Sequence, residues 1–578
     1  MSQQALHTFR QRLASHHALL HYSLLGITAG VLCGIIMKGF HLLTELPQYI
    51  FLPSQQLDDF ESLPAWACFG LPLISGFTIG LLMHFFAKDA LRTGIPHTVD
   101  CLHNRHGQMP GKNLIVQFFL GALALGTGQS GGREGPAVHL GAGINSVIGK
   151  KLLFPNNSLR LLIGCGTAAA IAAAFNTPIA GVIFAMEVVM MEYTIAGFIP
   201  IILAAITATI ITRSFEGAEK IFVIPDVNII AMSSLAELPL VALLGLIVGA
   251  FAAGFIYILK QSLKLAEKPI WMRTTLAGAI TGCFALFIPE VMGIGYDSLN
   301  DVLANHMGLT MIIALLIAKL IATASSCGLG LPIGLVGPNL LIGACIGGAI
   351  GIIAKALFPS LVVDEGFYVL LGMGAMMGAV MNAPLAALMA LIELTENTHM
   401  IFPGMLAITI ATLTHTELFK QQSATQTILQ TLKSILRTDP LSLALQRTGA
   451  SSIMERKIMI SPMQVNQEFA QTLLTNAEKM NCQGLLSHHE KNSYYFRWKD
   501  MQPLLQATIA NNEASIDLLN MAPYFKKVAP LHLQATLREA MDIMNEKDID
   551  SVYIGDETLA YGILERGKIF DFTTRPQP

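Results

Sequence analysis

The strongest constraint on this chain is a short phrase that occurs twice. Residues 132–144 read GREGPAVHLGAGI, and residues 334–346, at an offset of 202, read GLVGPNLLIGACI. Six of the thirteen positions are identical: Gly132/Gly334, Gly135/Gly337, Pro136/Pro338, Gly141/Gly343, Ala142/Ala344 and Ile144/Ile346. A second echo follows each copy, NTPIAGVIFAMEV from Asn176 and NAPLAALMALIEL from Asn382, each with a late glutamate, Glu187 and Glu393. The chain is therefore two related halves, each broken by Gly and Pro inside an apolar stretch. In a transporter, such a matched pair of interruptions points to the binding site.

Of the 578 residues, 53% are hydrophobic and 13% charged, whereas a soluble chain is about 25% charged. Apolar stretches near 22–44, 65–86, 159–193, 197–213, 236–259, 272–290, 308–324 and 335–357 are long enough to cross or enter a bilayer, which takes roughly 20 residues. Others are too short or too broken for a straight span. They survive in a membrane only where other helices or an aqueous cavity satisfy their backbone. The expected fold is an all-α polytopic membrane domain with broken helices, and the lipid bilayer is its first partner. Arg10, Arg12 and Lys38 flank the first span, and Lys88, Arg92, Arg105 and Lys112 follow the second. By the positive-inside rule the N-terminus and residues 88–113 are cytoplasmic, with Asp58, Asp59 and Glu61 outside. The polar start meets no small-residue cleavage site, so no cleavable signal is expected. A net charge of −3 gives no reason to expect a nucleic-acid partner. The eight cysteines are scattered, six of them in apolar stretches, and suggest neither disulfides nor a metal site. No metal-ligand pattern marks an enzyme, and no cofactor is expected.

Residues 1–20 form a polar arm, 21–213 the first membrane half, 214–235 a linker and 236–420 the second half. From 421 to 578 charged residues become frequent and long apolar runs stop, which marks a soluble domain of ordinary size. Within it, Thr536-Leu537-Arg538-Glu539 fits a capping box. Leu537, Ala540, Met541 and Met544 share one face of the helix that follows, and Ser551–Ile554 reads as a strand. A weaker helix-then-strand pattern occupies 466–498, so the tail is expected to be two α/β units.

The chemistry lies at the helix starts. The first N–H groups of a helix have no partner within it, and the helix dipole adds about half a positive charge there. Gly and Pro around 132–136, with Arg133 and Gly135, and again around 334–338 end one segment and start another, since Pro suits a first helical turn. Helix starts facing one point bind an anion without a full positive charge, weakly enough to release it. Arg92-Thr93-Gly94-Ile95-Pro96 is a third such turn, offering the Thr93 hydroxyl beside the amides of Gly94 and Ile95. Glu134 is the outlier, a carboxylate at a helix start in an apolar region, and intramembrane ionisable groups are functional candidates. The second copy has Val336 there, so the fold itself needs no carboxylate. Ionised, Glu134 competes with an anion for the same donors; protonated or swung away, it vacates them. That describes a pH-sensitive gate and a proton carrier.

GREGP at 132–136, RTGIP at 92–96, IGLVGP at 333–338 and AAAFNTPIAGVIFAMEV at 172–188 resemble the CLC chloride channel and transporter family through the whole membrane region. The resemblance implies chloride and similar small anions as ligands, halves of inverted topology, a homodimer with one pore per subunit, and an inner or plasma membrane location with both termini cytoplasmic. By position, Glu134 matches the gating glutamate, Thr93 the central anion-binding serine, and Leu335 and Val336 the amides of the third start. The inner tyrosine is replaced, at the matching position, by Thr425. The second of two adjacent glutamates that serves exchangers as inner proton relay is Val188, after Glu187. The loss of that relay, with the small Val336 and Thr425, leads to the expectation of a passive, Glu134-gated chloride channel, with chloride/proton exchange as the alternative. Glu187 and Glu393 read as structural hydrogen-bonding groups, and His97 and His139 as satisfied or solvent-facing histidines near the pathway. The tail resembles a pair of CBS modules. Its stretch 562–568, GILERGK, lacks the hydroxyl and the Asp that a nucleotide would use, which counts against nucleotide binding and for a structural or dimer-stabilising role.

Overall fold

Among the described residues of the computed structural model, eight helices are long and apolar enough to cross a membrane: Leu19–Phe51, Ala65–Phe86, Asn156–Phe175, Gly197–Phe215, Leu235–Glu267, Leu309–Leu329, Val336–Leu357 and Thr398–Leu418. The structure describes residues 9–574 except 11, 15–17, 54–57, 218–231, 233, 359–363, 435–438, 490–491, 512–514, 521–523 and 557–558. Most of the linker expected at 214–235 lies outside the described residues, and the helix before it runs on to Glu216. Two further expectations are corrected. The apolar stretch 159–193 is two helices, Asn156–Phe175 and Pro178–Phe184, the latter continuing as a π-turn over Ala185–Met190. The stretch 272–290 holds a helix of only 16 residues, Ile270–Ala285.

The echoed NTP and NAP phrases have a local cause. Asn176 and Asn382 both take left-handed backbone, φ 60° and 52°, a conformation that Asn tolerates at the end of a helix. Asn382 ends Glu365–Met381, as Asn176 follows Asn156–Phe175. Two residues later Pro178 and Pro384 each open a new helix at its first turn, where the missing N–H costs nothing. Each half thus ends one helix and opens the next across two residues.

Close approach of helices explains the shared Gly141 and Gly343. A Cβ built on Gly141 would lie 2.3 Å from the Gly166 carbonyl oxygen, and one on Gly343 would lie 2.2 Å from that of Gly372. The two gate-side helices, Glu134–Lys151 and Val336–Leu357, each lie backbone to backbone against the next helix, as small residues allow in membranes. The halves are joined at the doubled phrase by an antiparallel bridge, in which Gly132 N donates to Gly334 O at 2.8 Å and Gly334 N to Gly132 O at 2.7 Å. Equivalent residues of the doubled phrase are bonded to each other.

The chain forms two compact units. One comprises Tyr22–Ile148 and Leu161–Leu436; the other comprises Met1–His21, Gly149–Arg160 and Arg437–Pro578. The boundary expected at 421 therefore moves, because the helix Ala424–Thr431 belongs to the membrane unit. In the second unit six strands stand in the order Ile458–Ile460, Gly484–His489, Asn492–Arg497, Phe525–Leu531, Ser551–Gly555, Ala560–Glu565. The first and second strands pair in parallel, as do the fourth and fifth, and the others are antiparallel. Two α/β halves are thus joined edge to edge. The expected capping box is present: the Thr536 hydroxyl accepts from the Glu539 amide, and the Glu539 carboxylate accepts from the Thr536 amide. It opens the helix Leu537–Glu546, whose Leu537, Ala540 and Met544 are buried.

Candidate functional site

The three broken starts converge within the membrane unit. A cavity of about 320 Å³ is lined by Thr93, Gly94, Ile95, Gly135, Leu335 and Thr425, together with Arg92 and Arg273. Thr93 precedes the helix Gly94–Asn104 in extended backbone and makes no capping bond with its hydroxyl, so the hydroxyl is available to a ligand. Thr425 sits in the first turn of Ala424–Thr431. Residues 92–95, 135, 335 and 425, far apart in sequence, share one wall.

Two expected anion contacts are placed differently. The Gly94 N–H donates to Gln117 Oε1 at 2.9 Å, so that amide is already bonded. Arg133 turns elsewhere: its Nη2 donates to the Ala174 carbonyl at 2.7 Å, and its guanidinium lies over the Tyr296 ring, 5.3 Å from the centroid. The Val336 side chain faces an apolar gap beside Ile171, Phe175 and Phe184.

Glu134 is fully buried, and its carboxylate reaches across to the other half. Oε2 accepts from Gly337 N at 3.1 Å, in the first turn of Val336–Leu357, and Oε1 accepts from the Tyr296 hydroxyl at 2.7 Å. The carboxylate therefore occupies a helix start, the position an anion would favour. Tyr296 is not legible as a site residue in the sequence. Lys319 is, in hindsight: it is the only Lys or Arg between Arg273 and Lys355. It does not face the cavity. Its Nζ donates to the carbonyls of Val291, Met292 and Gly293 at 3.0, 3.3 and 3.0 Å.

The glutamates that end the echoed phrases cap each other's helices. Glu187 accepts from Leu385 N at 3.3 Å and Ala386 N at 2.7 Å; Glu393 accepts from Ile179 N at 2.9 Å and Ala180 N at 2.6 Å. Each carboxylate closes the start of the equivalent helix in the opposite half. Val188, next to Glu187, is buried and apolar. His97 Nδ1 and His139 Nε2 lie 2.8 Å apart, and Cys101 Sγ is 3.3 Å from His97 Nε2, so the two buried rings pair with each other, while His139 Nδ1 is buried with no partner among the described residues. At the end of the same short helix, Asp100 pairs with Arg92 and Arg105 at 3.3 and 3.5 Å. Burial would raise its carboxyl, but hydrogen bonds from Ser434 and Asn104 and the charges of Arg105 and Arg92 outweigh that and hold it below the ordinary range.

The comparisons agree with this geometry. The family described as "Voltage gated chloride channel" matches residues 75–416. The chain is 31% identical over 415 residues to the H(+)/Cl(-) exchange transporter ClcA of Vibrio cholerae serotype O1, covering 70% of this chain and 87% of that protein. Among solved structures it is similar to a slow cyanobacterial Cl-/H+ antiporter, with TM-score 0.63, 25% identity and coverage of 71% of this chain and 98% of that one. A eukaryotic CLC transporter shares the fold over 98% of both chains, with TM-score 0.59 and 20% identity. With the doubled phrase bonded to itself at Gly132 and Gly334 and a buried carboxylate at the opposite helix start, the chain belongs to the CLC family of voltage-gated chloride channels and transporters.

Proposed function

We propose that this protein exchanges chloride for protons across the membrane, with Glu134 as both gate and proton carrier. The observation that carries the reading is the seat of the Glu134 carboxylate on the Gly337 amide. An ionised carboxylate and a chloride ion cannot share that donor. A proton arriving at Glu134 releases the seat, and an anion arriving from the Thr93–Thr425 cavity takes it. Thr93, Ile95, Leu335 and Thr425 line the approach, where helix starts turn their dipoles toward the anion. The names of the relatives favour exchange over the passive conduction expected from the sequence.

Passive conduction keeps one specific support. Val188 is buried where the family resemblance puts the inner proton-relay glutamate, so an inner proton route would have to use other groups. Reversal potential in liposomes under crossed chloride and proton gradients separates the two. Exchange predicts a potential displaced from the chloride Nernst value whenever a proton gradient is applied, and proton movement abolished in Glu134→Gln with chloride flux retained. A potential fixed at the chloride value under every proton gradient would establish passive conduction instead. The same reading carries a homodimer in the inner or plasma membrane, with both termini cytoplasmic and a CBS-like tail in a structural role.

A further inference from the structure

The helix Tyr296–Leu303 begins after Gly295, and the helix Gly94–Asn104 begins after Thr93. These two caps are separated by 202 positions, the offset of the doubled phrase. They are therefore equivalent turns in the two halves, each with a left-handed glycine but one position out of register, Gly94 at φ 71° and Gly295 at φ 85°. In the first half the turn offers the Thr93 hydroxyl to the cavity. In the second half it offers the Tyr296 hydroxyl, 2.7 Å from Glu134 Oε1.

The second turn is braced. Gly293 N donates to Gly128 O and Gly131 N to Gly293 O, both at 3.3 Å, which ties the loop before Tyr296 to the segment before Glu134. The fully buried Lys319 ammonium gathers three carbonyls of that loop. Arg133 covers the ring. The hydroxyl is thus fixed relative to the carboxylate by backbone bonds on one side and a buried cation on the other.

We propose that Tyr296 is the outer latch of the gate, a positioning residue whose hydroxyl holds the Glu134 carboxylate on the Gly337 amide until protonation or an incoming anion displaces it. The inference rests on the reading of Glu134 as gate. The charged and titratable groups around the pair are Arg133 on the gate segment, Asp58 from the loop after the first span, and Asp297 with Lys319 on the adjoining helices. Their charges are common to the wild type and to Tyr296→Phe, so that substitution isolates the hydroxyl and keeps the ring under Arg133.

The test is chloride efflux from proteoliposomes between pH 5 and 8 for wild type, Tyr296→Phe, Glu134→Gln and the double variant. A hydrogen bond to a charged group is worth about a factor of ten or more. At the alkaline end, where the ionised gate is seated, Tyr296→Phe is expected to be about tenfold faster than wild type, with the profile moved toward alkaline pH by about one unit. At the acid end the two should converge. In the Glu134→Gln background the tyrosine substitution should change nothing, because no ionised carboxylate remains to be held. A Tyr296→Phe profile identical to wild type overturns the latch, and so does an equal effect in both backgrounds, which would make Tyr296 a general support of the pathway. Failure of the gate reading is seen separately, as a pH dependence unchanged by Glu134→Gln.

Discussion

At the scale of single residues, charge is kept off the anion path wherever a backbone dipole can replace it. Lys319 is consumed by three carbonyls, Arg133 by the Ala174 carbonyl and the Tyr296 ring. Arg92 lines the cavity but is paired with Asp100; Arg273 is the exception. It lines the cavity with Thr93 and Thr425, its Nε has no hydrogen-bond partner among the described residues, and no ion pair is formed by it among them. An unpaired guanidinium lining an anion cavity contributes on the order of 1–2 kcal/mol at an effective dielectric near 20. Arg273→Gln should therefore raise the chloride concentration for half-maximal flux about 5- to 20-fold, more at low ionic strength than at high, with the limiting rate kept. Flux measured against chloride at two ionic strengths checks this. An unchanged half-saturation would mean that the cation is screened before the ion arrives. The sequence could place Glu134, because a carboxylate stood opposite Val336 in the repeat. It could not place Arg273, which reaches the cavity only through the packing of a helix in the other half.

At the scale of elements, the two halves hold each other at their ends as well as at the bridge. Glu187 and Glu393 exchange caps, so each short helix, Pro178–Phe184 and Pro384–Thr395, has its first amides closed by the opposite half. Carboxylates at helix starts also meet the favourable end of the dipole. Replacing either by Gln keeps the size but removes the charge, at about 1–3 kcal/mol for charge-assisted bonds in a partly buried setting. Glu187→Gln and Glu393→Gln should therefore lower the thermal midpoint by similar amounts while the coupling of chloride to protons stays as in wild type. Coupling lost in Glu187→Gln and retained in Glu393→Gln would make Glu187 a proton group as well as a cap. The echo of the two glutamates was legible in the sequence and pointed correctly to structure. Their swap across the pseudo-two-fold was not, because an echo shows that two positions are equivalent without showing which helix each one touches. The broken stretch at 159–193 failed for a related reason: composition alone runs through Asn176, where a single left-handed residue ends one helix and lets the next begin.

At the scale of the whole chain, the change from apolar to charged composition near 421 found a second domain but misplaced its members. Thr425 stays with the membrane unit because its helix lines the cavity, while residues 149–160, at the foot of the gate helix, join the tail's unit. Contacts spanning hundreds of positions create that unit and leave no periodic trace in sequence. The Asn156 amide donates to Gln534 O at 2.9 Å, and its side chain donates to both oxygens of Glu539 at 2.9 and 3.1 Å. Asn157 and Ser158 donate to the Leu13 carbonyl at 3.0 and 3.1 Å, and Gly449 N donates to Ala14 O at 3.1 Å. The Glu539 that completes the capping box thus also fixes the segment that follows the gate helix. If these bonds carry the local order of that segment, removing their partners lowers its opening free energy while the start of the gate helix, held by Gly334 and Gly337, is untouched. A chain ending at residue 436 should therefore show exchange of the amides between 152 and 158 at least about tenfold faster than the full chain, for the loss of one or two net hydrogen bonds per amide environment. Peptides covering 134–145 should exchange at the same rate in both. Hydrogen–deuterium exchange on the two proteins in the same lipid decides it: equal protection at 152–158 would show that the segment is ordered by the bilayer-side helices alone, and faster exchange at 134–145 would show that the tail reaches the gate itself.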